Sequence, residues 1–490
     1  MGKLKVTDFF VYKWRYALGS FAIGGILFTL LFVAGLLIPG GLSEPEMASA
    51  VKSSGINLSI DLLENPELLI HLPYHLLQQL SIAVFGVTTT AIKLPSLVLG
   101  FASALFIFGV LNLWFRRNVA VITTIILATS GAFLLQAQLG SPEIMYLFWT
   151  SCLLFCSSML TQARKSKPMW TLLSALVAGL SLYSPFAVFG VIALGATALI
   201  HPHARFVVFR QSKLLLVIGA VLFIAVISPI LLSSLRSLDI LVMLAGIPDT
   251  LPTLSSVLSS LQGYVNYNQP TIAVLATPVY SLVVSLLVII GLIRLFTATY
   301  TAKSYILTIW IAFTVLVVGL ADAPAALTFV PIMLLVAFAI DFLIRSWYKL
   351  FPRNPYARVT GLFPLGILLF GITTTGIEQY VLAYHYAPEA TTAYSHDLQI
   401  LRATVAKNTD APVLLLVQPK ELAFYELYAQ SISGSVSATV SASDASTQSS
   451  AATVIASRDR QSADTVPTDI IVTGSSNSSD RFYLYKNGYN

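Results

Sequence analysis

The sequence predicts an all-α polytopic membrane protein with about eleven transmembrane helices and a small extracytoplasmic α/β domain at its C-terminal end. Of its 490 residues, 56% are hydrophobic and only 10% are charged, and the mean hydropathy is +0.80. Soluble domains carry about 25% charged residues, and only lipid can solvate so much apolar surface in a chain of this length. The net charge of +6 is therefore read as a sign of topology, and no nucleic-acid partner is expected.

The second observation is the spacing of the apolar runs, since about 20 residues cross the hydrocarbon core of a bilayer. Eleven runs are long enough or nearly so: 17–38, 92–115, 118–138, 142–161, 169–184, 186–200, 213–233, 275–297, 303–321, 324–345 and 358–379. The first is longer than a signal-peptide core of about 7–15 residues and is expected to remain as a helix. The runs 169–184 and 186–200 predict either two short helices broken at Ser184-Pro185 or one kinked helix, so ten or twelve helices also fit these runs.

The third observation is the asymmetric distribution of basic residues between the segments that join these runs. With a cytoplasmic N-terminus, the cytoplasmic segments hold the following residues: Lys3, Lys5, Lys13, Arg15, Arg116, Arg117, Arg164, Lys165, Lys167, Arg205, Arg210, Lys213, Arg294, Lys303, Arg345, Lys349, Arg353 and Arg358. The external segments before the tail hold only Lys52, Lys93 and Arg236. This positive-inside bias predicts a multi-pass plasma-membrane protein with an odd number of helices and an extracytoplasmic C-terminal region.

The pattern divides the chain into a transmembrane module, 1–380, and an external α/β domain, 381–490. External loops are expected at 40–91 and 234–274. In the tail, periodicity predicts helices at about 389–407 and 419–429 and strands at 412–417, 468–473 and 481–486. A Ser/Thr-rich stretch at 431–462 is typical of a flexible insertion. Two roles are open for this domain: covering an external site or stabilising the fold.

The loop 40–91 concentrates acidic residues at one membrane surface. It holds five of the 22 acidic residues of the chain: Glu44, Glu46, Asp61, Glu64 and Glu67. Ser43 followed by Glu46 three residues later also matches a capping box, so helix capping is the alternative role for this acid.

An amphipathic segment, LLIHLPYHLLQQLSIAVFG, closes this loop. His71, His75 and the pair Gln78-Gln79 share one side of a helix. This spacing predicts the polar face of a helix that lies in the membrane interface. A metal pair formed by the two histidines is the alternative, although no HExxH motif accompanies them.

Another acid stands at a break between two apolar runs. The segment ATSGAFLLQAQLGSPEIMYLF breaks at Gly140-Ser141-Pro142, and Glu143 opens the following helix. The helix dipole favours an acid at that position. A carboxylate facing lipid costs up to about 2.5–3.5 kcal/mol at the membrane centre, so Glu143 on the external side is a candidate functional residue.

These motifs, in this order, resemble the C-type (GT-C) membrane glycosyltransferases. The matching branch contains the dolichyl-phosphate-mannose–protein mannosyltransferases and the aminoarabinose-lipid A transferases. The matching segments are SEPEMASA, ENP, KLPSLVLGFASALFIFGVLNLWFRR and ATSGAFLLQAQLGSPEIMYLF. They cover about the first 165 residues, and beyond them the resemblance is one of topology.

The resemblance implies an inverting glycosyltransferase of the cell envelope. It would move a hexose or pentose from a polyprenyl-phosphate donor to a lipid, glycan or protein acceptor on the extracytoplasmic face. Glu46 would be the general base, with Glu44 as the second candidate, and Glu143 would be the second functional carboxylate. The family often has Asp where this chain has Glu143.

The resemblance also implies substrate contacts. The residues concerned are Glu64, Asn65, His71, Lys93 and Arg236. The two basic residues would steady the phosphate, or a divalent metal ion held by Glu46, Glu64 or Glu143 would do so. The family usually has Arg where this chain has Lys93. It often has two prolines after the His or Glu of this element, where this chain has one proline after Glu64.

A polytopic transporter or lipid-linked glycan flippase is the alternative function. Such proteins place acids or broken helices near the membrane midplane and contain internal repeats. Here the acids lie at one surface and no repeat is visible in the sequence. A non-catalytic scaffold whose tail binds a partner is a third reading, and it leaves the acidic first loop unexplained.

Overall fold

The structure is a computed structural model. It describes residues 21, 24–33, 41–57, 65–162, 166–248, 252–262, 264, 279–297, 301–321, 324–350, 356, 360–382, 398, 401–404, 413–432, 436–439, 453–457, 466–472 and 481–486. Within these ranges the chain is mostly helical, and its strands are confined to the C-terminal region.

The helices of the membrane module follow one another in chain order. They are α1 Gly24–Val33, α2 Glu44–Ser54, α3 Leu72–Phe85, α4 Thr89–Trp114, α5 Arg117–Ala128, α6 Gly131–Gln138, α7 Ile144–Gln162, α8 Lys167–Ser181, α9 Ala187–Ile200, α10 Pro202–Phe209, α11 Lys213–Ser234, α12 Asp239–Ala245, α13 Leu254–Gln262, α14 Leu282–Thr297, α15 Ala302–Ala321, α16 Phe329–Leu350 and α17 Leu362–Val381.

In its described part, each of the eleven predicted apolar runs contains one of these helices or a bent pair of them. Among the described residues, five helices are long and apolar enough to cross a membrane, or up to seven if each bent pair is one span. The run 118–138 is such a pair, because α5 and α6 meet at 66°. The hydroxyl of Ser130 accepts a hydrogen bond from the amide of Phe133 and so begins α6 as a separate helix.

The marginal runs at 169–184 and 186–200 form two separate helices. α8 ends at Ser181 and packs against α7 and α11, whereas α9 begins at Ala187 and packs against α15. Between them, Phe186 has φ 62°, a left-handed conformation that is unusual for a bulky side chain. The break at Ser184-Pro185 is therefore a true turn.

The helices differ in how deeply they lie in the bundle. In the segment Ala325–Leu350, which contains α16, 78% of an apolar stretch of 18 residues is buried inside the protein, against 11% in α11. α16 packs against α14, α5 and α7. α16 therefore lies in the centre of the bundle, and α11 lies at its periphery with apolar side chains available to lipid.

The first loop folds into α2 and α3, which form one end of the bundle; we call this end the loop face. α2 begins after Ser43, has Pro45 in its first turn, and ends at Gly55, which is the composition expected of a helix at both ends. α3 follows a short 3-10 turn at Pro66–Leu68 and ends at Gly86 with φ 72°.

The C-terminal region forms a five-stranded mixed sheet with one packed helix. The elements are β1 Val413–Leu416, α18 Leu422–Ser431, β2 Val436–Thr439, β3 Thr453–Ser457, β4 Asp469–Val472 and β5 Arg481–Lys486. The strand order is β2-β1-β3-β5-β4. β1 runs parallel to β2 and β3, and β5 runs antiparallel to β3 and β4.

The Ser/Thr-rich stretch 431–462 differs from the flexible insertion expected. It supplies β2 and the central strand β3, which pairs from Thr453 opposite Val413 to Ala456 opposite Leu416. The reason is that β3 reads TVIAS, in which β-branched residues favour a strand and Ile455 is fully buried. Much of the predicted helix at 389–407 lies outside the described residues.

The sheet and the first loop share one hydrophobic core. Leu42, Met47 and Ala50 from the first loop pack with a set of buried residues from the tail that includes Leu415 and Tyr425. α18 lies directly against α2. The C-terminal domain therefore lies at the loop face.

Candidate functional site at the loop face

Three segments that the charge pattern places on one side of the membrane meet at the loop face. The amide of Gly140 donates to the carboxylate of Glu46 at 2.6 Å, which joins the break before α7 to the first loop. The amide of His71 donates to the carbonyl of Tyr183 at 2.7 Å, which joins the turn before α9 to the same loop. The first loop is thus the centre of this assembly.

The carboxylate of Glu46 is fully buried and each of its oxygens makes two contacts. Oε2 accepts from the amide of Ser43 at 2.7 Å and from its hydroxyl at 2.9 Å. Oε1 accepts from the Gly140 amide and lies 3.4 Å from Nζ of Lys93. The side chains of Glu46 and Lys93 are 0% and 1% exposed. The capping interaction with Ser43 is therefore present. The second carboxylate oxygen in addition connects α2 to Gly140 and Lys93.

The turn that precedes Glu143 is held from three elements. Besides the bond to Glu46, the carbonyl of Gly140 accepts from Nε2 of Gln78 in α3 at 2.9 Å. The hydroxyl of Ser96 in α4 donates to the carbonyl of Ser141 at 3.4 Å. A Cβ at Gly140 would stand 2.9 Å from a methyl group of Ile92 and 3.3 Å from Oε1 of Glu46. Glycine is therefore required for this close approach.

The polar side of α3 differs from the expected interfacial face, because it is buried in the protein. The hydroxyl of Ser53 in α2 contacts Nδ1 of His75 at 2.8 Å and donates to Oε1 of Gln78 at 2.6 Å. Ser49 donates to the same Gln78 oxygen at 2.8 Å. Apolar residues occupy the exposed side: Leu77, Leu80, Val84 and Phe85. A helix next to lipid must satisfy its polar groups inside the protein. The predicted amphipathic pattern is present, but the prediction that its polar side faces the membrane interface was wrong, because that side faces the protein interior.

Glu143 lies half-buried at the start of α7. Nε2 of Gln136 donates to its carboxylate at 3.2 Å. Burial raises the pKa of Glu143, and the hydrogen bond from Gln136 opposes part of that rise. Tyr146 lies one helical turn further along, and its amide donates to the carbonyl of Glu143 at 3.1 Å. A carboxyl group in such a setting is a stronger base than one in water.

His71 connects the turn before α9 to Tyr146. Its Nδ1 lies 3.2 Å from the hydroxyl of Ser184, and its Nε2 lies 3.4 Å from the hydroxyl of Tyr146. Burial, together with the charges of His75 and Lys52, lowers the pKa of His71 to about 3. His71 has φ 58°, and non-glycine residues held in this region cluster at functional sites. It enters the site as a neutral imidazole.

The other expected site residues are dispersed. Glu44 is exposed in the first turn of α2, Asn65 is exposed before the 3-10 turn, and Arg236 is exposed after α11. Lys93 is paired with Glu46. Glu64 lies outside the described residues. The structure therefore brings Glu46 together with Lys93, and Glu143 together with His71 through Tyr146.

A divalent metal ion does not fit at Glu46. Its oxygens already accept from N–H and O–H groups, and the ammonium of Lys93 stands where a second cation would be repelled. No group of three or more His, Cys, Asp or Glu side chains lies close enough to hold a metal within the described ranges.

The sequence pattern assigned no role in the site to several residues of this assembly. Gln78 and Ser53 form the buried network beneath the turn, and Lys52 lies half-buried beside them. Nζ of Lys52 donates to the carbonyl of Glu67 at 2.7 Å. Ser184 could have been proposed as a site residue from the sequence, since it begins the break between two short apolar runs.

Part of the chain matches a known protein family. The sequence profile of the dolichyl-phosphate-mannose-protein mannosyltransferase family matches residues 72–232, which include α3, the Gly140 turn and Ser184. No curated protein matches the chain.

Two solved structures share the fold over nearly the whole chain. ArnT from Cupriavidus metallidurans in the apo state is 13% identical with a TM-score of 0.53, and the alignment covers 96% of this chain and 98% of that one. ArnT from the same organism bound to undecaprenyl phosphate gives a TM-score of 0.52 with the same identity and coverage. The chain is a polytopic membrane protein with the C-type glycosyltransferase fold, and its resemblance to the branch of protein mannosyltransferases and aminoarabinose-lipid A transferases is confirmed.

Proposed function

We propose that the protein is an inverting glycosyltransferase that moves a sugar from a polyprenyl-phosphate donor to an acceptor hydroxyl at the loop face. One observation carries the proposal: the family match contains the Gly140 turn, Glu143 and Ser184, and His71, which directly precedes the matched region, contacts Ser184 and Tyr146. A polar site at the end of an apolar bundle suits a substrate with a charged head and a prenyl chain. The bundle would hold the chain, and the loop face would hold the sugar.

We assign Glu143 as the general base, with exposed Glu44 as the second candidate. The acceptor hydroxyl attacks the anomeric carbon from the face opposite the phosphate, and its proton passes to the carboxylate of Glu143. The bond between the anomeric carbon and the phosphate oxygen breaks, and the lipid phosphate leaves with the electron pair. Phosphate is a good leaving group without a proton, so one carboxylate is sufficient. The new bond has the inverted configuration.

The leaving phosphate needs a cation, and Lys93 is already engaged by Glu46. Lys52 and Arg236 are the better candidates. Burial lowers the pKa of Lys52, an effect that the charge of Glu67 opposes, and the charge of Lys52 acts on both His71 and His75. A partly desolvated ammonium gains more from an anionic ligand than an exposed one does. We assign Lys52 to the phosphate and Arg236 to the approach of the donor.

The loop face is assigned to the extracytoplasmic side. The support is the distribution of Lys and Arg, which leaves only Lys52, Lys93 and Arg236 on that side before the tail. The same assignment places the C-terminal sheet outside, next to α2.

The test is a transfer assay with the purified protein in lipid nanodiscs and a panel of labelled polyprenyl-phosphate sugars. Transfer or hydrolysis with release of the lipid phosphate, and a product of inverted anomeric configuration by NMR, is the expected result. Retention of configuration would contradict the single-displacement mechanism. Movement of a labelled lipid-linked sugar across the bilayer without bond cleavage would support the flippase alternative.

A further inference from the structure

Glu46 is the residue that the family resemblance implies as the general base. Its side chain is the one least able to reach a substrate. Glu46 is 0% exposed, and each carboxylate oxygen already makes two contacts inside the protein. A general base must come within about 2.6–3.2 Å of the proton it removes. We propose that Glu46 is a positioning residue, which holds the Gly140 turn and thereby sets the place of Glu143. The inference rests on the proposed function.

The physical link between the two acids is short. Glu46 binds the amide of Gly140 at 2.6 Å, and Glu143 follows three residues later at the start of α7. In the next peptide unit, Nε2 of Gln78 donates to the carbonyl of Gly140. Both backbone groups of one residue are thus tied to α2 and α3. A shift of α2 would move the turn and the carboxylate it presents.

Lys93 compensates the negative charge of the buried Glu46 carboxylate. Its ammonium lies 3.4 Å from Oε1 of Glu46 and is itself 1% exposed. Removing one member of a buried ion pair leaves an uncompensated charge, whereas removing both leaves a neutral site. A positioning role therefore predicts that the loss of Glu46 is partly repaired when Lys93 is also neutralised. A base cannot be repaired in that way, because no proton acceptor is restored.

The experiment compares Glu46→Gln, Lys93→Met and the double variant in nanodiscs. For the positioning role we expect Glu46→Gln to lower kcat at least about 100-fold, since a misplacement of about 1 Å has effects of that size. The KM for the donor should stay within about threefold. The double variant should recover to within about tenfold of the native protein. Its activity should keep the acid limb of the native pH profile, because that limb belongs to Glu143.

Amide hydrogen exchange gives a second readout that needs no turnover. Peptides covering residues 139–147 should exchange faster in Glu46→Gln and return toward native protection in the double variant. Unchanged exchange in this segment in Glu46→Gln would overturn the inference. This measurement decides the question even where Glu46→Gln folds poorly, since Lys93→Met and the double variant test the same contact.

A matched control pair comes from α16. Asp341 and Arg345 form an ion pair at 2.8 Å with the arginine exposed, on the segment assigned to the cytoplasmic side. Asp341→Asn with Arg345→Met should leave kcat and the exchange of residues 139–147 unchanged.

Two outcomes separate this inference from the proposed function. If the native protein transfers sugar and the double variant Glu46→Gln, Lys93→Met is folded but inactive, Glu46 is the base. A native protein inactive with every donor would defeat the proposed function instead, and exchange would still decide the role of Glu46.

Discussion

Glu143 is expected to titrate above the usual range of a glutamate. Its pKa is raised by burial, and it must be ionised to accept a proton. Transfer should therefore increase as the pH rises through that elevated pKa and level off above it. We predict that Glu143→Asp keeps measurable activity with a displaced acid limb. The pH profile of kcat in nanodiscs checks this, and a native profile flat down to pH 4 would contradict it.

The buried histidines should make the protein sensitive to acid. Burial, followed by the charge of Lys52, lowers the pKa of His75 to about 3, against 6.5 for a free histidine. Between these values the unfolded chain holds a proton that the folded chain does not, so stability falls as the pH falls, by up to about 1.4 kcal/mol per pH unit. Above pH 6.5 the effect is absent.

Replacing His75 should weaken that dependence. The variant His75→Gln is expected to lose less thermal stability than the native protein when the pH is lowered from 7 to 4, although it is less stable at pH 7 because the contact with Ser53 is altered. The melting temperature in nanodiscs is the measurement. His203 is exposed, so His203→Gln is the control and should follow the native curve. Parallel curves for His75→Gln and the native protein would rule the account out.

Among the elements, the turn between α6 and α7 depends most on a single residue. A Cβ at Gly140 would stand 2.9 Å from the Ile92 methyl group and 3.0 Å from the Ile92 carbonyl. We predict that Gly140→Ala lowers transfer about 10- to 100-fold by displacing Glu143 and costs about 1–3 kcal/mol of stability through overpacking. Gly195 in α9 has open space around it, so Gly195→Ala is the control and should change neither quantity. Native activity in Gly140→Ala would show that the turn is not critical.

The elements also show how far the sequence can predict this fold. The eleven apolar runs were placed correctly because hydropathy is a local property, and Glu143 was singled out because an acid at an apolar break is visible in the sequence. The capping contact of Glu46 with Ser43 was visible in the sequence, but its contact with Gly140 was not predictable, since Gly140 is 94 residues away along the chain. β3 was missed because five strand residues lie within a Ser/Thr-rich composition. The polar side of α3 was assigned to water because the pattern alone does not reveal which side faces lipid.

For the whole molecule, the first loop and the tail share one hydrophobic core, so the C-terminal domain is packed against α2. Tyr425 is fully buried in that core. We predict that Tyr425→Ala costs about 3–5 kcal/mol and reduces transfer by loosening α2. Val466, which is 90% exposed in the same domain, provides the control Val466→Ala. Thermal unfolding and transfer assays test both, and a fully active, equally stable Tyr425→Ala would show that the domain is an independent appendage.

The orientation of the whole molecule can be tested by labelling in intact cells. The native cysteines, Cys152 and Cys156, are buried in α7 and can be replaced by serine. Glu44→Cys is then expected to react with a membrane-impermeant maleimide added outside, and Arg345→Cys only after the cells are opened. The reverse pattern would contradict the positive-inside assignment and move the site to the cytoplasm.

The measurement that tests the central claim most directly is single-turnover transfer from a polyprenyl-phosphate sugar by the native protein and by Glu143→Gln. Glu143→Gln keeps the size of the side chain and removes the base, so we predict that the rate falls about 10²- to 10⁴-fold while donor binding persists. Asp341→Asn, a carboxylate change on the opposite side of the bundle, should remain at the native rate. A Glu143→Gln variant that transfers sugar as fast as the native protein would contradict the account.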